Sequence, residues 1–245
     1  MPLSKKIIWL TLFSIAMGFM ETAVVVYLRK VYYPDGFAFP LVPIEPNIAL
    51  TEFLREAATI IMLVGIGILA GKNAAQKFSF FIYCFAIWDL FYYIFLKLLL
   101  DWPESWFTWD VLFLIPVPWV GPVLAPCIVS LTMIALAGCI VYLQYKGCEI
   151  KIKWREWLLL LGGCFIVMVS FMTDYFAYLN EHHFQQIWTL MSKEQMFIEI
   201  AAYIPNSYNW SMFWLGEILM ILGILLFNRR SKFSGVLNVP ERQFE

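Results

Sequence analysis

The chain has 245 residues, of which 62% are hydrophobic and 14% charged, with a mean hydropathy of +0.74. Soluble domains run nearer ~45–50% apolar and ~25% charged, so an ordinary soluble domain and a disordered chain are both excluded. The formal net charge of −1 gives no basis for nucleic-acid binding. An integral membrane protein remains, and at about 20 residues per span plus a turn the length allows roughly six to eight spans in a single transmembrane domain over 1–245.

The first apolar run, 7–28, follows Lys5 and Lys6 and imitates a signal peptide. It outlasts the roughly 7–15 apolar residues of such a peptide and lacks a small-residue cleavage pattern, so it reads as a retained span. Five more runs follow at 52–71, 78–100, 119–143, 157–178 and 209–227. The expected fold is all-α: a six-helix transmembrane bundle. No motif is shared between the first three spans and the last three, which leaves an inverted-repeat transporter without support. The cysteines, Cys84, Cys127, Cys139, Cys148 and Cys164, are odd in number and form no C-x-x-C pair. They read as small hydrophobes, not as a zinc or disulfide framework.

Basic residues set the direction. With both termini and loops 72–77 and 144–156 in the cytoplasm, 12 of the 17 Lys and Arg lie inside. The positive-inside rule favours that arrangement, in a plasma or inner membrane. The outer loops are then 29–51, 101–118 and 179–208. The first holds Pro34, Pro40, Pro43 and Pro46, which impose extended and turn geometry. The second, rich in tryptophan, reads as a short interfacial segment or, more sharply, a partly re-entrant lid. The fourth span opens on PWVGPVLAP, where Pro122 and Pro126 loosen the first turns. In the third loop Ser192 and Gln195 resemble a capping box, and Met196, Phe197, Ile200, Ala201 and Ile204 follow at helical spacing. A short amphipathic helix on the outer face is expected there.

Ionisable groups inside the spans are the informative feature. Asp89 falls at the middle of the third span, Glu217 within one residue of the middle of the sixth, and Glu21 about one turn outward in the first. Glu52, Arg55 and Glu56 occupy the outer turns of the second. Asp174 lies about 10 Å outward in the fifth span, and Lys97 about 12 Å outward of Asp89. A charge near the bilayer centre costs roughly 2.5–3.5 kcal/mol unless paired, protonated or hydrated. These groups are therefore expected to face one another or a polar cavity that opens outward and is closed inward. Spacing supports this. Glu52, Arg55 and Glu56 share one side of a helix. Asp89, Tyr93 and Lys97 form one stripe with Tyr92 beside it. Thr11, Ser14, Gly18, Glu21 and Thr22 form a small, polar stripe in the first span.

Each candidate has a plainer reading. The Arg55 group is also explained as an ion network at a helix start, where carboxylates suit the dipole. Lys97 and Asp174 are also explained by snorkelling. Asp89, Glu21 and Glu217 are also explained as protonated acids donating structural hydrogen bonds. Asp110 reads as solvated or capping. The adjacent His182 and His183 do not make a metal site, and neither a metal nor a cofactor is expected. G-x-S-x-G, H-E-x-x-H and P-loop motifs do not occur.

The leading expectation is a protein that binds or transports a proton, cation or amine-bearing solute. Glu21, Glu56, Asp89 and Glu217 would be the negative site, fixed by Arg55 and supported by Glu52, Tyr92, Tyr93, Lys97 and Asp174. One alternative is an intramembrane enzyme acting on a lipid or prenyl-type substrate from the outer leaflet, with Asp89 or Glu21 as general acid or base. Another is an accessory or assembly subunit. The expected partners are membrane lipid and a second copy of the chain, and no nucleic acid.

Overall fold

The computed structural model describes residues 2–113, 118–148, 150–181 and 202–237. Six helices form it: α1 Leu3–Tyr32, α2 Pro46–Ala70, α3 Ala74–Leu100, α4 Leu124–Tyr145, α5 Trp154–Glu181 and α6 Trp210–Leu237. Each contains a stretch long and apolar enough to cross a bilayer, and the chain is an integral membrane protein of six spans. An amphipathic helix after Ser192 and the pair His182 and His183 fall outside the described residues.

Local chemistry sets the helix ends. α2 starts on Pro46, whose fixed φ and missing N–H suit a first helical position. α3 starts after Asn73, whose side chain accepts from the Gln76 amide at 3.0 Å. It ends at Asp101, held at φ 52 in the left-handed region. The Lys97 ammonium closes that end. It donates to the carbonyls of Asp101 and Pro103, both at 3.1 Å, and pairs with the Asp101 carboxylate at 2.7 Å.

The fourth span begins later than the hydropathy run implies. Residues 119–122 belong to a strand: β1 (Trp109–Phe113) pairs antiparallel with β2 (Trp119–Pro122). The described part of loop 101–118 thus supplies the first strand of a hairpin. A helix begun at Trp119 would carry Pro122 and Pro126 one turn apart, where each lacks a donor. Begun at Leu124, it holds Pro126 in its first turn, where no donor is needed. The aromatic and β-branched residues on either side suit the strands.

Packing divides the helices into two groups. α3 lies against α1, α2 and α4, while α5 and α6 form the most extensive pair and meet the first group through α4. Small residues allow the close approaches. A Cβ added to Gly163 would lie 2.6 Å from the Gly216 carbonyl oxygen, and one on Gly216 would lie 2.7 Å from that of Gly163.

Polar contacts fix which ends coincide. Lys6 Nζ donates to the Ala70 carbonyl at 2.5 Å, and Gln144 Nε2 to Asn73 Oδ1 at 3.1 Å. Arg230 pairs with Glu156 at 2.6 Å and donates to the Lys151 carbonyl at 2.5 Å. The start of α1 and the end of α6 therefore share one end of the bundle, here called the basic end. Residues 33–45, the hairpin and residues 202–209 lie at the other, the loop end.

Candidate functional site

The loop half of the bundle holds two arginines among several carboxylates. The first arginine is Arg55 on α2. Glu52 lies one turn before it, and the guanidinium Nε and Nη2 both reach Glu52 Oε2 at 2.7 Å. Its Nη1 pairs with Glu21 of α1. Since α1 and α2 both rest on α3, this fork joins two helices across a shared neighbour. Glu52 is buried, and Glu56 is half-buried on the same side of α2.

The second is Arg29, in the last turn of α1, where a cation suits the helix dipole. It is only 7% exposed. Its Nη2 lies 3.3 Å from Oδ1 of Asp110 on β1, which is 2% exposed. The Tyr93 hydroxyl donates to Asp110 Oδ2 at 3.2 Å. The rings of Trp102 and Phe37 stand 3.7 and 4.3 Å from the guanidinium carbon, centroid to atom, giving cation–π support on a desolvated charge. Asp110 is thus not solvated, because the hairpin folds it against α1 and α3. Burial pushes its carboxyl above the usual carboxylate range, while the Arg29 charge, the Val111 amide and the Tyr93 hydroxyl pull it back. Arg29 Nη1 finds no hydrogen-bond partner among the described residues.

Asp89 and Glu217 are bound differently, both by hydroxyls of α4. Ser130 Oγ donates to Asp89 Oδ2 at 2.8 Å, and Thr132 Oγ1 to Glu217 Oε2 at 2.7 Å. Ser130 and Thr132 are two residues apart, about 200° around the helix. One carboxylate therefore meets α4 from α3 and the other from α6. Glu217 is 0% exposed, and its Oε1 has no hydrogen-bond partner among the described residues. Neither acid forms an ion pair among those residues.

The candidates read from the sequence therefore do not converge on one point. Glu21, Glu52 and Arg55 meet directly. Asp89 does not join them but sits with Ser130, in electrostatic reach of Asp110. Tyr92 lies between the two arginine groups, within reach of Asp110, Arg29, Glu21 and Arg55, with its ring 5.0 Å from that of Tyr93. Glu217 is on the far side of α4. Lys97 is exposed and closes α3, outside any cluster. Asp174 accepts from the Tyr203 hydroxyl at 2.5 Å and from the amides of Asn206 and Ser207 at 3.1 and 3.0 Å. Those bonds anchor the segment entering α6. Sequence reasoning missed Arg29, Phe37, Trp102, Ser130 and Thr132. Among the described residues, no three His, Cys, Asp or Glu side chains come together as metal ligands.

No family model, curated protein or solved structure matches this chain. The site's own chemistry carries any functional reading.

Proposed function

We propose that this polytopic membrane protein binds or transports a positively charged species: a proton, a cation or an amine-bearing solute. Asp89 and Glu217 supply two negative positions, one on each side of α4. Glu21 and Glu56 lie nearer the loop end, where Arg55 holds Glu21. The observation that carries the reading is the state of Asp89 and Glu217. Each has a hydroxyl donor and no cationic side chain among the described residues. A hydroxyl satisfies a lone pair but leaves the charge, and an uncompensated charge at this depth costs roughly 2.5–3.5 kcal/mol or more. Each acid is therefore best matched by a proton or an exchangeable cation. The arginines do not serve, since Arg55 is engaged by Glu21 and Glu52, and Arg29 by Asp110.

The test is flux into vesicles reconstituted with the purified chain. A trapped pH dye reports proton movement under imposed gradients of protons, sodium, potassium or methylammonium. The wild type is expected to exceed protein-free vesicles for at least one gradient. Asp89→Asn and Glu217→Gln keep the side-chain shapes and are expected to fall to the protein-free rate, with unchanged helical circular dichroism. A wild type no faster than empty vesicles overturns transport, and variants as fast as the wild type overturn the role of the two acids.

A further inference from the structure

A groove opens at the basic end between α1, α3 and α4, on the opposite half of the bundle from Glu21 and Asp89. Leu3 and Ile7, Phe80 and Tyr83, and the α4 stretch from Ile134 to Tyr145 form its walls around a cavity of about 310 Å³. None of its lining residues is charged. Along α4 it extends for about 16 Å, roughly half the hydrocarbon thickness of a bilayer, which is the depth of one leaflet. Its α4 wall includes Gly138, where an added Cβ would meet no atom within 4 Å.

Two lysines lie beside rings that line this apolar trough. Lys6 Nζ lies 5.4 Å from the Phe80 ring and Lys146 Nζ 5.7 Å from the Tyr142 ring, and both rings line the groove. The bond from Lys6 to the Ala70 carbonyl holds its ammonium in place and uses one of its three donors. Tyr142 and Tyr145 are exposed beside Lys146, as tyrosines at a headgroup level are. An apolar trough one leaflet deep, with a cation beside each of two of its rings, complements a negatively charged amphiphile.

We propose that this groove binds an anionic phospholipid of the leaflet at the basic end. One acyl chain lies between α1, α3 and α4, and the phosphate is held by Lys6 and Lys146. A zwitterionic phospholipid offers the same phosphate but brings a choline cation up to the two lysines, so the headgroup without that cation is favoured. This site is independent of the carboxylates at the loop end.

The test is native mass spectrometry of the full chain released from vesicles of equal phosphatidylglycerol and phosphatidylcholine. The wild type is expected to retain phosphatidylglycerol in preference. Gly138→Leu fills the trough, meets no backbone, and is expected to lose the retained lipid with unchanged thermal unfolding. Lys6→Gln and Lys146→Gln are expected to lower the preference by about fivefold each, the value of one lysine near an anionic surface. If Gly138→Leu fails to fold, the lysine pair decides by itself. Equal retention of the two lipids by the wild type, or undiminished retention in the variants, overturns the proposal. So does a dimer that Gly138→Leu converts to a lipid-free monomer, since the occupant is then a second copy.

Discussion

Arg29 is the residue on which the loop end turns. It joins the last turn of α1 to the hairpin through Asp110, and Tyr93 ties the same carboxylate to α3. Both ionic side chains are buried, so removing one leaves the other desolvated. Arg29→Gln is expected to cost about 3–5 kcal/mol, and the double variant Arg29→Gln with Asp110→Asn to recover part of that, because no unpaired charge remains. The sign with pH follows from burial. A carboxyl whose folded value is raised binds its proton more tightly in the folded state, so its contribution favours folding in acid. That contribution is lost as pH rises from the ordinary carboxylate value through the raised one. Without the opposing Arg29 charge the folded value moves further up. Thermal unfolding in detergent across an acid-to-neutral series is expected to show a steeper loss of stability in Arg29→Gln than in the wild type. Parallel curves would show that Arg29 does not hold Asp110. At this scale the sequence was partly legible. Glu52 and Arg55 follow from i,i+3 spacing within one helix, and Glu21 from its depth. Arg29 did not stand out because the apolar run ends at residue 28, whereas the helix runs on to Tyr32. The burial of Asp110 depends on a hairpin in which it faces Gly121, eleven residues on. Ser130 and Thr132 carry no signal of their own, since membrane-helix hydroxyls often bond to their own backbone, as Thr59 does to the Arg55 carbonyl.

Between elements, α5 and α6 are held by backbone proximity at Gly163 and Gly216. Neither position has room for a methyl group, because the nearest atom in each case is a carbonyl oxygen of the facing helix. Gly163→Ala or Gly216→Ala is therefore expected to push the helices apart at a cost of about 1–3 kcal/mol. Gly162 is the internal control. Its added Cβ would meet nothing within 4 Å, so Gly162→Ala is expected to leave stability unchanged or slightly raised. Thermal unfolding in one detergent compares the three, and equal behaviour would show that the packing is looser than the glycines imply. The same elements show what hydropathy reveals. The apolar runs located all six helices, since each must satisfy its own backbone in lipid. They understated α1, whose ends carry Lys5, Lys6, Arg29 and Lys30 beyond the hydrocarbon. They overstated α4, because the apolar residues of β2 join its run without a break in hydropathy. Only the paired prolines mark that boundary.

For the whole molecule, the two halves of the bundle carry different chemistry. The loop half holds Glu21, Glu52, Asp89, Asp110, the buried Arg29 and the half-buried Arg55. The basic half holds the Glu156–Arg230 pair, the apolar groove and its two lysines. The connectivity places the start of α1 and the end of α6 together, and the side on which they lie decides what each half can meet. Lys5, Lys6, Lys72, Lys77, Lys146, Lys151, Lys153, Arg155, Arg229 and Arg230 belong to the basic end, against Arg29, Lys30, Arg55 and Lys97 toward the loop end. The positive-inside rule counts residues in short loops and near span ends, which is where these lie. By that rule the basic end is expected in the cytoplasm. A reporter joined after Arg230 is then expected to be active only if it works in the cytoplasm, and one that needs export is expected to be silent. With that orientation the loop end faces outward. The lysines then face the cytoplasmic leaflet, whose anionic lipids attract basic residues by ~1 kcal/mol each. An exported, active reporter would reverse both assignments together. The loop end would then lie in the cytoplasm, and the groove would face the outer leaflet.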